Sequence, residues 1–450
     1  MDSRSFKKVF VAGFLVFSSV SANADRVDIG YSFFSNYQYS DNVSQLADIQ
    51  GPVNFEPPSG NAWENGVRFD LKTEQTAVVA ASIDADLSRT KYSVNESGFD
   101  LDDDDTKNIN ASILVQPRTN NFRLSILDSL QQIKADRTNV QGVNNTSDVN
   151  VFTVSPSYFF RLNEQSRITT KYTYTDLKED VEDATQLDSS NNSSSTELSY
   201  QNKISRFVDW SLVATHATTE FDSTNQEFDQ DALFLRVIKT GTLTNYSLDF
   251  GRQRAIDAND DDAYQNLIGF SLGRKINKTS DLTMLYRKGF SEAVNVSVSN
   301  NLVQLQANNQ SAFANGIAKE ERLEIKYDYV KESIGVHFRV FGQDIESVDE
   351  IQNITLDDER NLGAQLGFDR RFLGDRLVLT LNYQHEKNEF RITDQENSVN
   401  DISLRIDNNL SKKWTISFTV GSRNAEGSQT QNEIEEKKAI FGLEFFPKGR

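Results

Sequence analysis

The chain has 450 residues, only 37% of them hydrophobic, and a formal net charge of −19. No run of 18 or more apolar residues occurs, which excludes a helical membrane protein, and the acidic balance argues against nucleic acid as a partner. Cysteine is absent, so disulfides, thiolate metal sites, thiol nucleophiles and a lipoprotein anchor are excluded.

Residues 1–24 read as a secretory signal peptide. Arg4, Lys7 and Lys8 form its charged start, Val9 to Val20 is mostly apolar but too short to span, and Ala22-Asn23-Ala24 supplies a small-residue cleavage site. The mature domain is then 25–450, exported and more acidic still.

From residue 27 onward the dominant signal is alternation with period 2. In RLVLTLNYQ, Leu377, Leu379, Leu381 and Tyr383 share one face, while Val378, Thr380, Asn382 and Gln384 share the other. WTISFTVGS sets Trp414, Ile416, Phe418 and Val420 against Thr415, Ser417 and Thr419. LEIKYDYV and ISLRID behave alike, with Glu324, Lys326, Asp328, Arg405 and Asp407 on their polar faces. Such alternation is that of β-strands. Strands are predicted near 27–36, 65–72, 77–88, 108–116, 121–136, 149–162, 166–176, 196–205, 208–218, 230–239, 243–252, 264–275, 279–289, 321–331, 333–344, 360–373, 375–386, 400–410, 413–423 and 437–446, a count of about 18–20. Pro156 interrupts one of them, where a bulge or kink is expected.

The connections alternate in length. Asn163–Ser166, Arg206–Phe207, Thr240–Thr242, Asn277–Lys278, Gly374–Asp375 and Ser411–Lys412 are short. Long, Asn/Asp/Ser-rich connections are expected over 37–64, 89–107, 137–148, 177–195, 219–229, 253–263, 290–320, 345–359, 387–399 and 424–436. Short and long turns in alternation, with strands of 10–12 residues, describe a transmembrane antiparallel up-and-down β-barrel with short periplasmic turns and long acidic outer loops. Aromatic residues fit two interfacial girdles: Phe160, Phe207, Trp210, Phe372 and Trp414 near the short turns, and Tyr174, Tyr286, Tyr329 and Tyr383 toward the long loops. The expected location is a Gram-negative outer membrane, with its lipid and lipopolysaccharide as neighbours.

In hydrocarbon each unpaired backbone group costs several kcal/mol, so a spanning sheet has to close. A cation turned to lipid at the midplane costs about 2–4 kcal/mol, so the charged faces have to line the interior. The expected lumen-lining residues are Arg68, Asp70, Arg123, Lys171, Asp249, Arg287, Glu324, Lys326, Asp328, His337, Arg339, Arg405 and Asp407. A barrel this wide cannot be filled by side chains. The segment Ser291–Glu320, which contains VNVSVSNNLVQLQ, either constricts it or, on the plainer reading, extends strands above the membrane.

Three stretches resemble outer-membrane β-barrels found with bacterial exopolysaccharide and exosortase (PEP-CTERM) systems: ILVQPRTNNFRLSILDSLQQIKADRTNV, VNVFTVSPSYFFRLNEQSRITTKYTYT, and the C-terminal hairpins from LGAQLGFDRRF to SFTVGSRNAEGS. The resemblance implies a conduit assisting export or surface display of an extracellular polysaccharide, working with a periplasmic export apparatus. The residues themselves leave two other readings open, a porin-like channel for small solutes and a non-conducting adhesin or scaffold.

Acidic clusters occur at Asp100–Asp105, Lys178–Ala184, Asp257–Ala263 and Leu356–Glu359, all expected in outer loops. Several carboxylates together suit Ca²⁺, but no EF-hand spacing is present, and solvation is the plainer account. His216, His337 and His385 lie far apart without metal-ligand spacing, so no metal or cofactor is expected. No hydrolase, P-loop or dinucleotide motif occurs, so no catalytic residue is assigned.

Overall fold

The computed structural model describes residues 27–43, 58–73, 78–95, 103–117, 121–133, 147–180, 190–222, 226–256, 262–291, 296–299, 302–305, 318–347, 358–391, 394–427 and 432–447. The signal peptide expected at 1–24 lies outside them. The described elements are β1 (Val27–Ser40), β2 (Gly60–Thr73), β3 (Val79–Val94), β4 (Asp104–Val115), β5 (Phe122–Ile133), β6 (Ser147–Arg161), β7 (Ser166–Asp180), β8 (Asn191–Lys203), β9 (Val208–Phe221), β10 (Gln226–Lys239) and β11 (Thr244–Ile256). They continue with β12 (Asp262–Asn277), β13 (Ser280–Ser291), β14 (Val296–Ser299), β15 (Leu302–Leu305), β16 (Ala318–Lys331), β17 (Ile334–Ser347), β18 (Glu359–Phe372), β19 (Leu377–Phe390), β20 (Gln395–Asn409), β21 (Trp414–Gly427) and β22 (Asn432–Phe445).

Twenty of these form one sheet, each paired antiparallel with its neighbours in sequence, β13 joining β16 directly. The ring closes where β22 pairs with β1, from Phe33↔Phe445 to Ser40↔Lys438. Closure removes the sheet edges that lipid could not satisfy. For twenty strands tilted by about 45°, the backbone radius is about 20 Å.

The register assigns the two faces. Phe33 lies opposite Val67, which lies opposite Leu87, and Leu212, Leu235, Phe250 and Ile268 form another apolar row across β9 to β12. These side chains are largely exposed, Phe250 at 69%. The alternate positions carry the charges. An apolar belt outside and an ionic wall inside make this a barrel of the Gram-negative outer membrane. Phe160, Phe207, Phe372 and Trp414 stand exposed at the short-turn rim, and the Trp414 ring lies 4.6 Å from that of Phe445.

Four details differ from the sequence reading. First, the strands run further on the long-loop side. Residues expected in loops over 219–229, 253–263, 387–399 and 424–436 are mostly paired in the ladders β9–β10, β11–β12, β19–β20 and β21–β22. Above the bilayer both faces meet water, so alternation fades while backbone pairing continues. Parts of the acidic clusters follow: Asp104, Asp105, Lys178–Asp180 and Asp262 are in strands, with Arg89 bonded to Asp103 at 3.0 Å and Arg254 to Asp262 at 2.7 Å. Second, Pro156 makes no bulge. The β6–β7 ladder omits Ser155 and Pro156 but resumes in the same register at Ser157↔Lys171. Beside this gap the hydroxyls of Ser155 and Thr173 lie 3.1 Å apart and link the two strands. Third, Tyr329 lies beside the short turn after β16, opposite Ser280, because β16 runs away from the long-loop side.

The fourth difference concerns the segment after β13. The wall ladder stops at Ser291↔Ala318, and β14 and β15 pair only with each other, so they do not extend the wall. β15 instead lies against β4 and β5, nearly half the ring away. The chain from Ser291 to Leu302 reaches about 35 Å when extended. That matches the ring's bore, of about 40 Å across the backbone, and falls short of half its circumference. The hairpin therefore crosses the bore. Where it lands the β4–β5 ladder is short, running only from Ile109↔Leu130 to Val115↔Leu124 although β4 begins at Asp104 and β5 continues to Ile133.

Candidate functional site: the lumen wall

By register, Arg68 and Asp70 (β2), Arg123 (β5), Lys171 (β7), Asp249 (β11), Arg287 (β13), Glu324, Lys326 and Asp328 (β16), His337 and Arg339 (β17), and Arg405 and Asp407 (β20) all stand on the face opposite the apolar belt. His216 and His385 stand on the other face, in the rows of Asp231 and Asn400. His337 is the lumen's histidine among the described residues.

Six of the expected residues come together on β13, β16 and β17. Glu324 accepts from Arg339 Nε at 3.0 Å and from Arg322 at 2.8 Å. Lys326 stands 3.3 Å from Asp328. His337 Nδ1 lies 2.7 Å from Asp328 and Nε2 lies 3.1 Å from Asp369, which also accepts from Thr380 at 2.9 Å. A carboxylate only accepts, so both imidazole contacts are hydrogen bonds at once when the ring carries two protons. Arg287 is opposite Arg322 in the same patch. The other residues stand apart. Arg68 bonds Asp86 at 3.1 Å and Glu444 at 2.9 Å across the closing seam. Asp249 takes a two-pronged contact from Arg236 at 2.8 and 2.9 Å, and Arg405 bonds Asp407 at 2.9 Å along its own strand. At the outer rim, Asp344 accepts from Arg391 at 2.6 Å and raises the guanidinium above its ordinary pKa.

A recurrent arrangement escaped the sequence reading. Phe34, Phe234 and Phe341 each carry an arginine over the ring, Arg68 at 4.4 Å, Arg236 at 5.1 Å and Arg339 at 4.9 Å. Each Phe also presses on a cross-strand glycine, Gly66, Gly251 or Gly363, where a Cβ would overlap it. Each arginine is then pinned by a carboxylate. At Phe34 and Phe341 the ring itself covers the glycine, so glycine, ring, cation and anion form one layered unit, while at Phe234 the approach to Gly251 is through Cβ. The sequence signal is an aromatic two residues from an arginine, as in Phe234-Leu235-Arg236 and Arg339-Val340-Phe341, but the glycine is visible only once the register is known.

The opposite part of the wall carries many neutral polar groups between its scattered charges. Ser82 and Ser112 hydroxyls are 2.6 Å apart, Ser129 donates to Asn110 at 2.6 Å, Thr153 and Thr175 lie 3.2 Å apart, and Thr219 donates to Ser193 at 3.2 Å. The lumen therefore has a densely ion-paired side, β13 to β18, and a side richer in hydroxyls and amides, β3 to β9, that also carries Asp84, Asp86, Arg123, Lys171 and Glu197. Among the described residues no group of three or more acidic or histidine side chains is placed to hold a metal ion.

Glu324 is the hub of the ionic side, so its replacement is a direct test. Glu324→Gln keeps the shape and removes the charge from both arginine contacts. We expect a loss of about 1–3 kcal/mol in stability, read as a lower urea midpoint for unfolding from lipid vesicles.

No protein-family model matches the chain, and no curated protein does. Solved structures are similar at low identity. The FrpB iron transporter of Neisseria meningitidis (F5-1 variant, apoprotein) gives a TM-score of 0.44 at 8% identity, over 95% of this chain and 82% of that one. BauA, the ferric preacinetobactin receptor of Acinetobacter baumannii, gives 0.45 at 8% identity, over 94% and 80%. The siderophore receptor PirA of Pseudomonas aeruginosa gives 0.44 at 8% identity, over 94% and 80%.

Proposed function

We propose that the barrel is a conduit across the outer membrane for a hydrophilic polymer, and that the polymer is an extracellular polysaccharide leaving the cell. The observation that carries this reading is the division of the lumen. Its hydroxyl and amide side offers many weak, interchangeable hydrogen bonds to a polyhydroxylated chain. The cations of the ionic side engage carboxylates of the same wall, so they hold no solute as tightly as a receptor pocket would. A chain can slide over such a surface without stopping. The sequence resemblance supports the identity of the cargo.

Deleting the gene in its native host tests this. Loss of surface polysaccharide, with small-solute uptake intact, is the expected result. Unchanged polysaccharide together with reduced uptake of small solutes would overturn the reading in favour of a porin-like channel. If neither changes, the scaffold reading takes its place.

A further inference from the structure

We propose that the outside of the barrel carries a built site for one phosphorylated lipid of the outer leaflet, on strands β8 to β12. Two register rows make it. The lower row is Leu198, Ala214, Leu233, Arg252 and Asn266; the upper row is Thr196, His216, Asp231, Arg254 and Tyr264. Between them lies an open groove of about 680 Å³, within the size range of a ligand site. Ala214 is the small residue that makes the hollow, and Leu198 and Leu233, 54% and 56% exposed, are its apolar flanks. Phe250 and Leu235 continue that surface toward the membrane centre. The groove's lower part suits acyl chains.

Its upper part suits an anion. Arg252 lies over the face of Tyr264, its Cζ 4.8 Å from the ring centroid. Beside it, Arg254 pairs with Asp262 at 2.7 Å, and the His216 ring lies 2.9 Å from Asp231. Arg252 has no carboxylate within ion-pair distance among the described residues. Asp231, the acid inside the groove, is held between His216 and Arg254. The guanidinium of the groove that makes no ion pair among the described residues is thus that of Arg252, at the upper border of the apolar belt. A planar fork of N–H donors at that level matches a phosphate oxygen pair, and the floor below it matches hydrocarbon. A phosphate bearing acyl chains satisfies both, whereas free phosphate satisfies only the first.

The test uses the full-length barrel in detergent, with phosphorylated lipid A as the probe and native mass spectrometry counting what stays bound. Arg252→Gln is expected to lower retention about tenfold, the equivalent of about 1.4 kcal/mol. Ala214→Trp, which fills the hollow from the lipid side, is expected to lower it as well. Enzymatically dephosphorylated lipid A and inorganic phosphate are each expected to compete poorly. Equal retention by Arg252→Gln, or equal binding of the dephosphorylated lipid, would overturn the proposal. Circular dichroism of both variants verifies that the barrel is folded.

Discussion

Replacing Val296–Leu305 by a short Gly-Ser linker should raise single-channel conductance in planar bilayers roughly threefold or more, because an unobstructed twenty-strand bore is far wider than one crossed by a chain segment. The expectation rests on the reach of β15 to β4 and β5, across the ring from its roots at β13 and β16. The wall is complete without the hairpin, since Ser291 pairs directly with Ala318 at its base. The shortened protein should therefore fold and insert like the parent. Larger neutral polymers, added as sizing probes, should enter the shortened form and be excluded from the parent. An unchanged conductance would mean that the hairpin does not set the aperture.

The second large effect concerns the two faces. Leu235 sits in the row Leu212, Leu235, Phe250 and Ile268, in the apolar belt. Leu235→Arg should cost about 2–4 kcal/mol, which lowers the ratio of folded to unfolded protein about 30-fold or more. Ser195→Arg places the same side chain on the opposite face, in the row of Thr173 and Ala217. There it should cost no more than about 0.5 kcal/mol. Urea unfolding from lipid vesicles measures both. Equal costs would mean that the faces have been assigned the wrong way round.

The strands were legible because their outward positions inside the bilayer must be apolar and their inward ones need not be. This is why the ends at the short turns lie close to where alternation begins. At the other end the constraint relaxes. Asn191–Ser195, Thr219–Glu220 and Gln395–Val399 read as loop, yet all are paired in ladders. The face of each lumen residue was legible from parity alone. Partners on different strands were not, because they depend on the stagger between strands: nothing in the sequence couples Arg236 to Asp249, Arg339 to Glu324 or His337 to Asp369. Tyr329 was misplaced for a related reason, since parity says nothing about which end of a strand points outward. The apolar run at Val296–Leu305 was legible as structured, but its departure from the wall is a property of the closed ring.

The shortened β4–β5 ladder gives the hairpin's resting place a mechanical meaning. Around most of the barrel, neighbouring strands are laced together along nearly their whole length, so girth is fixed by many bonds acting in parallel. Between β4 and β5 the lacing stops at Ile109↔Leu130, and β15 bears on these same two strands. The β12–β13 ladder stops short in the same way, at Ile268↔Lys288 although β13 runs to Ser291, so one loosely laced seam lies by the hairpin's root and another under its tip. Any widening of the lip would begin at these two seams, where the fewest backbone bonds hold neighbours together, and not in the fully laced belt below.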